Sequence, residues 1–502
     1  MLDWIRRVGA VAFVSLLLAI APETAEAKWQ KAETLHFVVY GDGSQDTLRS
    51  YAERLELFDT VLRYKHGMKI GEAPLRKLTI YLVRNHNELQ RAAPWASESV
   101  AGFYSASTAD VFAVAIRDRG DDIWSLGDDI ILHEYAHHFM LAHFPYGYPA
   151  WLTEGYAEYF ATAELKVGQA IIGKHNRARG FNLLNGDWIA FEDLLTKSGH
   201  QFRLSEDRAM YYAQSWLLTH WFMSDSSRYL RFQKYLQELG RGADSLSAFK
   251  TATGYTPEQL GGELRKYLRS ALPFIRYDGA VFAKAEVSLS PAPPSADEIL
   301  LDSLHIKRGV SEKDRPGLLK KTQAVAKRYP DDAFAQLTHA RAEIGFGDRH
   351  AGEAVLKKLL ADDPGNIDAL VLMAESRMDS VEESDAAGML KGYREARAFA
   401  GRAVKADQTR FEALYAYVRT RAIEPTYPTD NDLEALLAAH EAAPQVAPIR
   451  WQAASALMTA ERYEFAAHLL QPLANNPHGG EMAEAARKLM QEAKGKAGSA
   501  AE

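Results

Sequence analysis

His133 and His137 stand four residues apart in the segment His133-Glu134-Tyr135-Ala136-His137. On a helix this spacing puts both imidazoles on one face, one turn apart, where they can share a metal ion. Glu134 directly follows the first histidine and can hold a water beside that ion. Zinc lowers the pKa of a bound water toward neutrality, and a neighbouring carboxylate can then take its proton. Two neutral nitrogen ligands, a base and an open coordination position are the requirements of metal-assisted hydrolysis. Glu154, with 16 residues between it and His137, is placed where a second helix would supply a third, carboxylate ligand. The chain contains no cysteine, so a zinc site here must be built from histidine and carboxylates.

Several elements must position these residues. Ile130-Ile131-Leu132 precede the motif and Phe139-Met140-Leu141 follow it, which predicts a largely buried helix over 128–144 with Asp128 or Ser125 as N-cap. A second helix is expected over 152–165. Upstream, residues 34–40 are rich in β-formers and end at the turn Gly41-Asp42-Gly43. Leu48, Tyr51, Leu55, Phe58 and Leu62 follow at helical spacing, and further strands are expected over 78–83 and 111–116. This order implies a small mixed sheet before the metal helix. Helices then dominate: 207–223, 229–239, and one opened by Thr256-Pro257-Glu258 as N-cap, first-position proline and first-turn acid.

The motif followed by Trp151-Leu152-Thr153-Glu154-Gly155-Tyr156-Ala157-Glu158-Tyr159 resembles the gluzincin metallopeptidases, the superfamily of thermolysin and the zinc aminopeptidases. The resemblance covers about residues 30–270 and is concentrated in 130–160. It implies a zincin fold in which His133, His137 and Glu154 bind Zn2+ and Glu134 is the general base. Glu158, one turn beyond Glu154, resembles the carboxylate that orients a ligand histidine. Gluzincins often place an oxyanion donor on a later helix, and Tyr212 is the first choice, with Tyr211 the second. His220 is a weaker candidate, and His138 and His143 read as capping or surface residues. The strand over 111–116 is expected to be the sheet edge along which such enzymes lay an extended peptide. The Gly-x-Met-Glu-Asn motif that captures a free amino terminus is missing from 95–120, which argues against aminopeptidase activity.

Residues 288–297, with three prolines and four small polar residues, read as a linker. Beyond it alanine-rich helical stretches alternate with Pro or Gly, and Pro330 and Pro364 mark a 34-residue period. That period resembles tetratricopeptide repeats over about 315–490, interrupted by an apparent insertion over 379–391. It implies helix pairs that bind a protein partner.

The remaining expectations concern the whole chain. Arg6-Arg7, the apolar run 8–20 and Ala25-Glu26-Ala27 have the order of a secretory signal peptide, so export to a periplasm or beyond is expected after removal of 1–27. No other stretch is apolar enough to span a membrane. A net charge of −7 over 502 residues, without a basic block, gives no reason to expect nucleic acid. The domain reading is a metallopeptidase-like unit over 28–287, the linker, and a helical repeat unit over 298–496. The fold class is α+β followed by all-α. The function expected is that of a zinc-dependent endopeptidase on peptide or protein substrate. The alternatives are an interaction scaffold with an inactive metal domain, or a zinc hydrolase for a non-peptide envelope substrate.

Overall fold

The computed structural model describes residues 28–98, 100–117, 126–144, 146–381, 386–476 and 480–500; the expected leader and Ser125 lie outside them. The first part of the chain runs β1 (Trp29–Glu33), β2 (Phe37–Asp42), α1 (Gln45–Lys65), β3 (Leu78–Val83), α2 (His86–Ala92), β4 (Gly102–Ala106) and β5 (Val111–Ile116). Ser44 caps α1 by accepting from the Thr47 amide, and Asn85 caps α2 in the same way from Glu88. β2, β3 and β5 pair in parallel, with Val39 beside Ile80 and Ile80 beside Ala113.

The complete sheet has the order β4-β5-β3-β2-β1-β9, where β9 is Ser288–Pro291. Two expectations are corrected here. The strand over 111–116 is not an edge, because β4 pairs antiparallel along its outer side. The segment 288–297 is not a free linker, because Ser288–Pro291 pairs with β1 and a helix begins at Ala296. Its prolines are compatible with this role, since an edge strand needs only one side of its backbone for pairing.

Alternation along the strands gives the sheet two apolar faces. Phe37, Val39, Ile80, Leu82, Ala113 and Ala115 join the main core with α1 and the metal-motif helix. Tyr81, Val83, Phe103, Phe112 and Val114 form a second cluster with Leu300, Leu301 and Leu304. The sheet is therefore covered on both sides, as its central parallel strands require.

The motif helix is α3 (Leu126–His143), so Asp128 falls within its first turn rather than before it; it is followed by α4 (Ala150–Ala161). β6 (Glu164–Lys166), β7 (Gln169–Ile172) and the later β8 (Ile275–Asp278) make a small antiparallel sheet. Between them lie α5 (Arg177–Asn185), α6 (Phe191–Thr196), α7 (Ser205–Met223), α8 (Ser226–Gly240), α9 (Ser245–Thr253) and α10 (Pro257–Leu268). Thr256 and Gln259 form the capping box that opens α10, as the sequence signals.

The second half is all helix: α11 (Ala296–Arg308), α12 (Arg315–Arg328), α13 (Ala333–Phe346), α14 (Arg349–Asp362), α15 (Ile367–Asp379), α16 (Ala386–Ala406), α17 (Phe411–Arg421), α18 (Asp430–Ala442), α19 (Ala447–Thr459), α20 (Tyr463–Ala474) and α21 (Gly480–Ala500). Neighbouring helices form hairpins, and α13 and α15 begin 34 residues apart, the period of a helical repeat. Among the described residues no helix is long and apolar enough to cross a membrane.

The repeats do not stand apart from the rest. Phe411, Leu414, Ala439, Ala443, Val446 and Ile449 belong to the same buried cluster as the sheet and α3. Arg76 pairs with Glu412 and, at 2.5 Å, with Asp110, which Lys307 also reaches at 2.5 Å. The first helices of successive hairpins thus face the body of the molecule across a 360 Å³ cavity.

Candidate metal centre

α3 divides cleanly by face. Ile131, Leu132, Tyr135, Ala136 and Phe139 are buried toward the sheet and α1. His133, Glu134 and His137 are half-buried on the other side, toward α4. A fully buried side chain such as Phe139 contributes roughly 1.5–3 kcal/mol relative to leaving it exposed, so the helix is seated by its apolar stripe and its polar side need not stabilise it.

α4 is held against α7 at Gly155. A Cβ there would overlap the Thr219 hydroxyl and the Ser215 carbonyl oxygen, so the close crossing depends on glycine. This crossing turns the other side of α4, with Glu154 and Glu158, toward α3.

Three donor atoms converge between the two helices. His133 Nε2 and His137 Nε2 are 3.0 Å apart. Glu154 Oε2 lies 3.5 Å from the first and 3.4 Å from the second. A tetrahedral ion with donors at ~2.0–2.1 Å keeps them ~3.3 Å from one another, so these separations suit zinc without rearrangement. His133, His137 and Glu154 form one of two clusters of metal-binding side-chain types among the described residues.

The surroundings favour positive charge. Burial works against a protonated His133, but Glu154, Glu158 and Glu134 outweigh it and raise the imidazole to about 9. Burial likewise opposes ionised Glu154, while His137 and His133 hold its carboxyl well below the usual carboxylate range. Three carboxylates around the paired imidazoles give the site an electrostatic field suited to a cation.

Glu158 is a structural partner of the centre. Its Oε1 lies 3.6 Å from His133 Nδ1, on the side away from the donor cluster. Arg179 grips it with two bonds, at 2.6 and 2.9 Å, and Asn176 donates a third at 3.2 Å. Asn176 also caps α5, accepting from the Arg179 amide, so one turn of chain supplies both groups. Nothing in the spacing of Asn176 and Arg179 signals this role; α5 reaches α4 only through tertiary packing.

The two candidate tyrosines separate. Tyr211 is fully buried and its hydroxyl donates to the Lys197 carbonyl. Tyr212 is half-buried, with its ring 5.3 Å from the Arg179 guanidinium carbon. Burial and the nearby Glu154 both push its phenol upward, so it remains a neutral O–H donor across the ordinary pH range. His220 is engaged in the core: its Nδ1 and Nε2 each lie 2.8 Å from a partner, the Tyr267 hydroxyl and the Gly173 carbonyl.

Neither His138 nor His143 is a surface or capping group. His138 Nδ1 lies 3.0 Å from the Tyr104 hydroxyl on β4, and burial lowers it to about 3. His143 packs its ring 4.6 Å from that of Phe139.

The second cluster, His36, Glu56 and Asp59, is saturated from within. His36 Nδ1 donates to Glu56 at 2.8 Å and Nε2 to the Glu72 carbonyl at 3.0 Å. Asp59 receives Arg63 at 2.7 Å and the Tyr135 hydroxyl at 2.6 Å. His36 and Arg63 already balance its two carboxylates. Its link to the centre is Tyr135, the residue between Glu134 and Ala136.

No family model matches the chain, and no curated protein matches it. Among solved structures the chain is similar to a thermophilic TPR protein of Thermus thermophilus, at 15% identity and a TM-score of 0.31, over 36% of this chain and 92% of that one.

Proposed function

We propose that this chain is an exported zinc-dependent metallohydrolase, and specifically an endopeptidase of gluzincin type. One observation carries the reading: His133, His137 and Glu154 bring three donor atoms to mutual distances of 3.0–3.5 Å beside Glu134. A bound zinc would supply Lewis acidity and a water of near-neutral pKa. The chain's own residues have separate tasks. Glu134 takes the proton of the attacking water and passes it to the departing amine. Tyr212 offers a neutral hydroxyl to the oxygen on which negative charge develops. Glu158, steadied by Arg179 and Asn176, orients the His133 ring.

Among the described residues, the strand beside α3 with an unpaired side is β4, and its outer side is where an extended peptide would pair. Pairing there would use backbone groups and make few demands on sequence. Export is supported by the leader-like order of residues 1–27, which lie outside the described residues.

The deciding experiment measures metal content and hydrolysis of casein by the chain from residue 28, beside Glu134→Gln. About one zinc per chain, with turnover lost only in the variant, is the expected result. Failure to bind zinc in either protein would overturn the reading.

A second reading is supported by the helical hairpins of α11–α21: an interaction protein whose repeats bind a partner and whose metal domain is inactive. Zinc binding without hydrolysis of casein or of envelope-polymer amides would favour it. Hydrolysis of such amides alone would keep the metal chemistry and change the substrate.

A further inference from the structure

A cleft of 540 Å³ lies beside the metal centre, and its far wall belongs to the helical repeats. On the near side are Tyr104 of β4, Leu141 of α3, and Tyr148 and Thr153 around the start of α4. Leu141 is one turn beyond His137 on the same side of α3, and Thr153 adjoins Glu154. Gln445 and Arg450, from the turn between α18 and α19 and from α19 itself, face them across the cleft.

Arg450 is the unusual member. It is only 4% exposed, and among the described residues its guanidinium bonds to the Pro444 carbonyl alone, at 2.9 Å. No carboxylate among the described residues pairs with it. Arginines this deeply buried are ordinarily matched to an acid, because an uncompensated charge in a protein interior is costly. Burial alone pushes this guanidinium down to about 10; burial, and after it the charge of Arg450, lowers neighbouring His440 to about 3. The carboxamide oxygen of Gln445 is also buried without a hydrogen-bond partner. A cleft with aromatic walls and one unmatched fork of N–H donors is incomplete without an anion that carries an apolar group, while the Gln445 oxygen, an acceptor, calls for an N–H donor on the same ligand.

We propose that Arg450 is a carboxylate-binding residue, which the repeats contribute to a cleft adjoining the metal centre, and that the ligand is a peptide carboxylate flanked by an aromatic or apolar side chain. A planar guanidinium matches a carboxylate in paired N–H···O bonds, and the rings of Tyr104 and Tyr148 receive the flanking group. As a carboxylate site this stands on the cleft alone. As a substrate subsite it rests on the metallohydrolase reading.

The test is binding in the presence of a chelator, so that zinc and turnover play no part. N-acetyl-phenylalanine and its amide are titrated calorimetrically into the chain from residue 28 and into Arg450→Gln and Arg450→Lys. The acid is expected to bind at least tenfold more tightly than the amide. Gln at position 450 is expected to remove that preference and melt no lower than the parent, since it relieves a buried charge. Lys is expected to keep part of the preference. Equal binding of acid and amide by the parent would overturn the proposal, as would an unchanged preference in Arg450→Gln. Should the Gln variant fail to fold, a reduced preference in a folded Lys variant supports the paired geometry, and an undiminished one overturns it. Comparing a peptide with a free terminal phenylalanine against a fully blocked peptide containing glutamate then distinguishes a chain terminus from an acidic side chain as the source. A metal-binding, inactive protein that passes this test retains the carboxylate site and loses only its substrate role.

Discussion

Arg179 holds both oxygens of Glu158, and Glu158 in turn lies 3.6 Å from the ring nitrogen of His133 that faces away from the donor cluster. The orientation of one proposed ligand is therefore set two residues away, by a helix that carries no ligand itself. Arg179→Ala should weaken zinc binding by about 10–100-fold without abolishing it, the usual consequence of removing a group that supports a ligand. Competition with a chelator of known affinity measures this, and an unchanged affinity would remove Glu158 and Arg179 from the centre.

The ligands and the base should part in behaviour. Glu134→Gln is expected to retain metal and lose about 10²–10⁴ in turnover, the range of a lost general base. His137→Ala and Glu154→Ala are expected to lose the metal, read by elemental analysis after dialysis. Metal retained equally by all three variants would show that the ion sits elsewhere.

Gly155 sets how closely α4 approaches α7. An alanine there meets a backbone carbonyl and a buried hydroxyl, and neither can swing aside. Overpacking of this kind costs about 1–3 kcal/mol. Gly155→Ala should lower the melting temperature and, because α4 carries Glu154, weaken zinc binding together with stability. A variant that melts like its parent would mean that the helices can slide.

The His36 network predicts a pH profile. Burial disfavours a charged His36, yet Glu56 and Asp59 raise its pKa above the ordinary value, with Arg63 opposing them. Burial also disfavours ionised Glu56, and the bonds from His36 and Thr34 bring it below its ordinary value. A raised histidine contributes stability that is complete below its unfolded pKa of ~6.5 and is lost as pH rises through the folded value. A lowered glutamate contributes stability that is lost as pH falls through its folded value. Denaturant midpoints should therefore form a plateau between the two and decline on the alkaline side through the raised His36 value. His36→Gln should flatten that alkaline decline; an identical profile in the variant would discount the pair.

The packing of α11 makes a clean separation of the two halves unworkable. Leu300, Leu301 and Leu304 cover the sheet face formed by Phe103, Phe112 and Val114. A chain ending at residue 297 exposes that face and is expected to aggregate, judged by soluble yield and the absence of a cooperative melt. A well-behaved fragment would show that the sheet needs cover on one side only.

Local signals in the sequence are strong where the structure is local. The boundaries of β3 and β5 follow from runs of β-branched and aromatic residues, and the body of α3, though not its start, from the apolar flanks of its motif. β1, with Gln30, Lys31 and Glu33 among five residues, and β9, with its proline, carry no such signal. They are strands because neighbouring backbones offer partners. The edge position of β4 was illegible for the same reason, since strand order is a property of pairing between distant segments. At the centre, spacing picks out His133, Glu134, His137 and Glu154. Arg179, Asn176 and Arg450 lie far from it in the chain and arrive only through packing.

The pairing of β1 with β9 sets a timetable for synthesis. Gln30 finds its neighbour only at Pro291, about 260 residues later, so the first strand emerges long before its partner exists. At a pace of roughly 5–20 residues per second, that interval is on the order of 15–50 s. Throughout it one side of β1 offers unmatched amides and carbonyls, and the outer face of the sheet waits for α11 as well. A nascent chain of this design cannot finish its first layer early; it stays open until more than half of it has been made, and whatever attends it in that period must mask a strand rather than a finished fold.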